Sequence, residues 1–99
     1  MSYPVEYSRD SAKFIKKARR NKKLSDYLNQ VNKRLADNYL GLSAEPLNGS
    51  LRFLTSHHFK IGGVDYRLVF SVNQVRQSIY VWLIGPRENF YRQLVKKFG

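Results

Sequence analysis

From Leu51 to Ile84 the apolar residues of this chain recur at every second position, in three successive runs, and that period dictates a sheet. In the first run Leu51, Phe53, Thr55, His57, Phe59 and Ile61 share one face, and Arg52, Leu54, Ser56, His58 and Lys60 share the other. Gly62-Gly63 then turns the chain. In the second run Tyr66, Leu68, Phe70 and Val72 stand opposite Asp65, Arg67, Val69 and Ser71. A turn near Asn73-Gln74 leads to the third run, Ser78 to Ile84, which is apolar on both faces and suits a central strand. Runs joined by short turns pair antiparallel.

The first half of the chain has a different period. Tyr3 to Tyr7 alternates, with Val5 inward, and predicts a short first strand. Ser8 or Asp10 can cap a helix over about Arg9 to Arg20, in which Ala12, Phe14, Ile15 and Ala18 recur at helical spacing. Asn21-Lys22-Lys23 reads as a turn. A second helix runs from Leu24 or Ser25 to Asn38, with Leu24, Tyr27, Leu28, Val31 and Leu35 forming its buried stripe. So short a link makes the pair an antiparallel hairpin. Gly41 to Ser50, with Pro46 and Asn48-Gly49, reads as loop. At the other end Gly85-Pro86 closes the last strand, and Pro86 sits just before or in the first turn of a helix over about Glu88 to Lys97. Phe90, Leu94 and Phe98 share one side of it. The predicted fold is α+β: an N-terminal strand, an antiparallel helix hairpin packed on an antiparallel sheet of about four strands, and a short C-terminal helix.

The chain has 99 residues, the size of one domain, and 42% are hydrophobic, enough for one modest core. It contains no cysteine, which excludes disulfides, thiolate nucleophiles and cysteine-ligated metals and fits a reducing cytosol. No apolar run approaches the roughly 20 residues of a membrane span, and Met1 to Glu6 lacks the pattern of a secretory signal. A cytoplasmic protein without a membrane partner is expected. Eighteen Lys and Arg against seven acids give a net charge of +11, which draws polyanions to the surface without saying which. An acidic protein partner satisfies the same charge.

Parity decides which polar residues can meet. If Phe59, Ile61, Leu68 and Phe70 face the helices, then Arg52, His58, Lys60 and Arg67 share the open face. Arg87 and Tyr91, four residues apart at the start of the last helix, lean over its rim. RNA cleavage by the adjacent 2′-hydroxyl needs a base, cations around the phosphate, and an acid for the leaving oxygen. Arginine suits the phosphate, because its fork matches the oxygens and keeps its charge. Histidine, lysine or tyrosine suits the proton transfers, and Lys60 beside Arg67 is a candidate base. Plainer readings stand beside these: Lys60 and Arg52 as solvated cations, Arg67 paired with Asp65 or Glu88, Tyr91 as core. The adjacent His57 and His58 point to opposite faces with no carboxylate pair or cysteine, so no metal site is expected. The basic face Lys13, Lys16, Lys17 and Arg20 serves solubility or grips an RNA backbone.

Leu47-Asn48-Gly49, Phe59-Lys60-Ile61, Asp65-Tyr66-Arg67-Leu68-Val69-Phe70 and Gly85-Pro86-Arg87-Glu88-Asn89-Phe90-Tyr91-Arg92 together resemble the RelE/ParE superfamily of bacterial and archaeal toxins. The order of elements matches too, so the likeness covers nearly the whole chain as a single RelE-like domain, 1–99. RelE-type members enter the ribosomal A site and cleave messenger RNA without a metal, through the 2′-hydroxyl. ParE-type members poison DNA gyrase and lack the cleavage residues. The resemblance to the RelE-type branch implies a toxin with endoribonuclease activity that inhibits translation. It makes Lys60, Arg67, Arg87, Tyr91 and His58 catalytic and Arg52, Lys13, Lys16, Lys17 and Arg20 contacts to RNA and ribosome. Arg67 and Arg87 would hold the phosphate and protonate around it. Tyr91 would stack on a base or assist proton transfer, and Lys60 would be base or charge stabiliser, supported by His58 or Arg52. Pro86 stands where many members carry histidine or lysine. The resemblance further implies a cognate acidic antitoxin, ribosome and messenger RNA as partners, and no cofactor. A ParE-like gyrase inhibitor without nuclease chemistry is the alternative.

Overall fold

The computed structural model describes residues 2–98. The expectations that fall on Met1 and Gly99, a start unlike a secretory signal and the outer bounds of a 1–99 domain, lie outside the described residues. The elements run β1 (Val5–Tyr7), α1 (Arg9–Ala18), α2 (Lys22–Asn38), β2 (Glu45–Pro46), β3 (Thr55–Ile61), β4 (Val64–Asn73), β5 (Ser78–Pro86) and α3 (Phe90–Phe98). The sheet order is β1-β5-β4-β3-β2. Every neighbouring pair is antiparallel except β1 and β5, which are parallel with Val5 beside Ile79. The α+β class and the order of elements agree with the sequence reading. Among the described residues no helix is long and apolar enough to cross a membrane.

Serine chemistry starts α1. Ser8 is extended, and its Oγ accepts from the Ser11 N–H at 3.1 Å. Asp10 in the first turn and Lys16 and Lys17 in the last complement the helix dipole. The helix ends at Ala18 rather than Arg20, and its inward face differs from the expected one by a residue. Ser11 is buried and Ala12 exposed, because the Ser11 hydroxyl has a partner inside, the Val81 carbonyl at 3.3 Å. The expected turn at 21–23 shrinks to one capping residue: Asn21 accepts from the Leu24 N–H at 3.2 Å, and α2 begins at Lys22.

Two apolar layers flank the sheet. The hairpin places Leu24, Leu28, Val31 and Leu35 against Phe59, Leu68, Phe70, Ile79, Val81 and Ile84. On the opposite face Phe90 and Leu94 of α3 pack on Leu54, Val69 and Leu83. A bulge in β5 makes both layers possible. Val69 stands opposite Leu83 but Phe70 opposite Val81, so Trp82 is an extra residue. Ile79 and Val81 face the hairpin before it and Ile84 after it, while Leu83 joins the α3 layer. Both sides of the bulge are fastened. Ser8 donates its N–H to the Val81 carbonyl at 2.9 Å and its hydroxyl to the Trp82 carbonyl at 2.7 Å. The Trp82 indole N–H donates to Ser71 Oγ at 2.8 Å.

The loop before β3 departs most from expectation. Glu45 and Pro46 form a two-residue edge strand, paired with Ser56 and Thr55, where the sequence reads as loop. The long strand expected from Leu51 begins instead at Thr55; Gly49–Leu51 is a 3-10 turn and Arg52 follows it. The Gly62-Gly63 turn is as expected: φ values of +58° and +81° meet the demands of a two-residue hairpin and set Lys60 opposite Asp65.

Ser8→Ala removes a helix cap and leaves the Trp82 carbonyl unpaired. We expect a loss of about 2 kcal/mol in urea unfolding, against less than about 0.5 kcal/mol for Ala12→Ser on the exposed side of the same turn.

Candidate active site

Register partners stand side by side on one face of a sheet. His58 lies beside Arg67, and on Arg67's other flank the partner is Gly85, which has no side chain to fill the space. One step along, Lys60 lies beside Asp65. Arg87 follows the last residue of β5, and its backbone N–H donates to the Asp65 carbonyl at 2.8 Å, which extends the ladder and holds Arg87 at the mouth. His58, Lys60, Asp65, Arg67 and Arg87 thus line one hollow of about 340 Å³.

The chain enters α3 through Asn89, whose left-handed φ of +61° asparagine tolerates better than most residues. Phe90 is then fully buried, so Tyr91 is turned outward and is 42% exposed rather than core. The Arg67 guanidinium carbon lies 4.8 Å from the centroid of its ring, a cation–π contact that fixes the arginine over the sheet. Among the described residues Arg67 forms no ion pair, with Asp65, Glu88 or any other acid. Asp65 instead faces two other cations, Lys60 Nζ at 3.8 Å and Arg87 at 4.0 Å. With all three side chains about half exposed or more, each pair contributes at most about 1 kcal/mol, and an incoming anion can displace the carboxylate. This shared counter-ion was not foreseen. Its signal is the two-glycine turn, because closing Ile61 on Val64 forces 60 against 65.

Residues 5–95 match the model of the ParE-like toxins of type II bacterial toxin–antitoxin systems. The chain belongs to this family. No curated protein matches it by sequence. Among solved structures, an Escherichia coli RelE toxin in the free state, a double arginine-to-alanine mutant, superposes with a TM-score of 0.70 at 20% identity over 100% of both chains. A chain of the Mycobacterium tuberculosis RelBE2 toxin–antitoxin complex gives 0.69 at 16% identity, covering 88% of this chain and 100% of that one. YafQ from E. coli BL21(DE3) gives 0.67 at 21% identity, covering 98% and 99%. The toxin therefore has the RelE-like fold and belongs to the RelE/ParE superfamily.

Other candidate residues of the toxin fall outside the hollow. Arg52 is exposed after the 3-10 turn, so strand parity does not carry it to the open face as expected. Lys13, Lys16, Lys17 and Arg20 line a common surface on α1. Lys13 and Lys17 also meet Lys96 and Lys97 in a cleft of about 480 Å³ between α1 and α3. There Lys97 Nζ bonds Asp10 at 2.9 Å and holds its carboxyl below the usual 3.8.

His57 and His58 do point to opposite faces. His57 is buried, with Nδ1 2.6 Å from the Ser43 carbonyl and Nε2 2.8 Å from the Tyr27 hydroxyl. A carbonyl only accepts, so Nδ1 carries the proton and Nε2 accepts from tyrosine: the neutral tautomer. Burial pushes His57 below its ordinary 6.5, against the opposing pull of the Ser43 bond, and burial raises Tyr27. Among the described residues no three His, Asp or Glu side chains gather as metal ligands. Tyr27 and Tyr66 each stack on Phe59, with ring centroids 4.7 and 5.4 Å away, and Phe59 and Tyr66 also line the hollow.

The sign of the His57 shift sets a pH dependence. Between its depressed folded value and 6.5 the unfolded chain binds the extra proton, so stability falls as pH drops through 6.5 and levels below the folded value. Asp10 acts in the opposite range, its contribution being present above 3.8 and lost below. Urea midpoints at pH 7.5 and 5.5 should differ in the wild type and converge in His57→Gln.

Proposed function

We propose that the toxin is a metal-independent, ribosome-dependent endoribonuclease that cuts messenger RNA through the 2′-hydroxyl beside the scissile phosphate. One observation carries this reading: His58, Lys60, Arg67 and Arg87 converge on one hollow, with Arg67 braced on Tyr91. Arg67 and Arg87 present fixed positive forks to a phosphodiester and stabilise the charge that gathers on it in the transition state. The ion pair with Asp65 divides the remaining labour. An ammonium held against a carboxylate is a donor, so Lys60 gives the proton to the leaving 5′-oxygen and steadies charge. His58, next to Arg67 on the same face, takes the proton from the 2′-hydroxyl. The 2′-oxygen then bonds phosphorus as the P–O5′ bond breaks, leaving a 2′,3′-cyclic phosphate and a 5′-hydroxyl. The exposed Tyr91 ring offers a stacking surface to a base. The three cations, Lys60, Arg67 and Arg87, supply the charge a metal ion would otherwise bring.

The same reading takes residues 1–99 as one toxin domain acting in the cytoplasm, with its α1 lysines on ribosomal RNA. It takes a cognate acidic antitoxin as the partner that covers the basic surface. The matched family carries the ParE-like description, which favours gyrase inhibition as the second reading; a supercoiling assay with purified gyrase separates the two.

Primer extension on a translated message is the direct test. Cuts should appear with ribosomes present, survive EDTA and vanish on naked RNA. Arg67→Ala or Arg87→Ala should lower cleavage by about 10²-fold or more with the fold intact, and full activity in both would remove the site. A Lys13, Lys16 and Lys17 to Ala triple variant should weaken ribosome binding and flatten its log–log salt slope by about two, as expected when three phosphate contacts are lost.

A further inference from the structure

Four of the seven large apolar side chains that stand exposed among the described residues lie on one path. Tyr91, Val95 and Phe98 are 42%, 55% and 38% exposed and follow one another at i, i+4 and i+7, so they form a stripe along the outer shoulder of α3. The fourth, Phe53, is 53% exposed and meets Phe98 edge-on, with ring centroids 5.5 Å apart. It carries the stripe onto the segment before β3, where Leu47 and Leu51 line a hollow of about 370 Å³ that Tyr91 also lines. An apolar groove thus runs between α3 and the 47–53 segment. At one end Phe98 rests on Trp82, with centroids 4.9 Å apart. At the other Tyr91 braces Arg67, and His58 lines both the groove and the cationic hollow.

Single exposed apolar residues are ordinary, but a contiguous run marks an interaction surface. The spacing selects the shape of the occupant, because a helix interlocks its own side chains with an i, i+4, i+7 stripe. The lips select its charge. Arg92 and Lys96 stand exposed beside the stripe and Arg52 beside Phe53, against one acid of the lining, Glu45. A second copy of the chain would bring +11 against +11. An RNA strand would satisfy the cations and leave Val95, Leu47 and Leu51 with nothing to pack on, since bases stack on rings.

We propose that an acidic amphipathic helix of a partner protein docks in this groove, its apolar face on Phe53, Tyr91, Val95 and Phe98 and its carboxylates on Arg52, Arg92 and Lys96. The inference rests on the acidic-partner reading above and adds where that partner lies and which side chains hold it. α3 stays in place and forms one wall. A helix seated there covers Tyr91 and shuts the mouth of the cationic hollow without entering it.

The test uses the full chain and a synthetic helical peptide of about four turns, with Leu at i, i+3, i+4 and i+7 and Glu on both flanks. Its control has the same composition with the leucines scattered. In isotope-labelled toxin the first peptide should shift the amides of Phe53, Tyr91, Val95 and Phe98 and bind about tenfold tighter than the control. Val95→Glu, at an exposed position outside the hollow, should weaken it by about tenfold or more with the urea midpoint and cleavage unchanged, and Arg92→Glu should weaken it as well. At saturation the peptide should stop cleavage of a translated message. Equal binding of the two peptides, or shifts confined to the α1 lysines, would reduce the effect to charge and overturn the groove. So would oligouridine bound at the same amides more tightly than the peptide, or a dimer in sedimentation that Val95→Glu dissolves, because the occupant would then be RNA or a second copy. Cleavage that persists on saturated toxin removes the cover over the hollow and leaves the nuclease reading standing. A toxin that never cuts removes the nuclease reading, and the amide shifts alone then decide the docking.

Discussion

The bulge at Trp82 is the constraint on which the rest depends. A strand covered on both faces must offer apolar side chains to both, and β5 must do so while its register partner β4 carries Arg67 on the open side. The extra residue rephases β5 so that Ile84 continues the hairpin layer and Leu83 meets Val69, Phe90 and Leu94. It also sets Gly85 against Arg67. Without it, the residue opposite Arg67 would be Ile84, and an apolar branch would stand where glycine now leaves the space beside the arginine open. Ser8 secures the bulge from the β1 edge and Ser71 from β4, so two small hydroxyl residues far apart in sequence control the placement of the site.

Electrostatics explains why the cations can gather there. A chain of +11 gains nothing in stability from crowding positive groups. The toxin moderates the cost with one carboxylate between Lys60 and Arg87 and one aromatic face under Arg67. Neither device closes the hollow. A half-exposed carboxylate can give way to an incoming anion, whereas a buried pair would not. The departures from good packing practice cluster on the same face: an exposed tyrosine, an unpaired serine hydroxyl and crowded like charges. Departures concentrated in one place are what a site looks like in an otherwise consistent structure.

Strand parity made much of this legible. It placed His58, Lys60 and Arg67 together and His57 behind them, because alternation survives as long as a strand is regular. It failed at Arg52, where a 3-10 turn replaces the strand and alternation has no meaning. Hydrophobicity favours Ala12 over Ser11 for the inner face of α1, because the Val81 carbonyl that satisfies Ser11 lies beside a bulge 70 residues away. The two-residue β2 carries no periodic signal at all, and Pro46 argues against a strand unless it lies at an edge. The Asp65 counter-ion is a property of register, which a sequence states only where a turn fixes it.

The two adjacent histidines show how one dipeptide serves both sides of the sheet. His57 is held neutral by a carbonyl on one nitrogen and a tyrosine on the other, so it ties the loop at Ser43 to α2 and cannot act on substrate. His58 faces the cationic hollow and has neither partner. For the proposed cleavage, rigidity behind and freedom in front are what proton transfer at a fixed phosphate would require. A base must keep its distance to the 2′-hydroxyl within a few tenths of an ångström while its own nitrogen stays unclaimed. Burial of His57 and openness of His58 follow from the same alternation, so the strand that builds the core also turns a histidine to the open face.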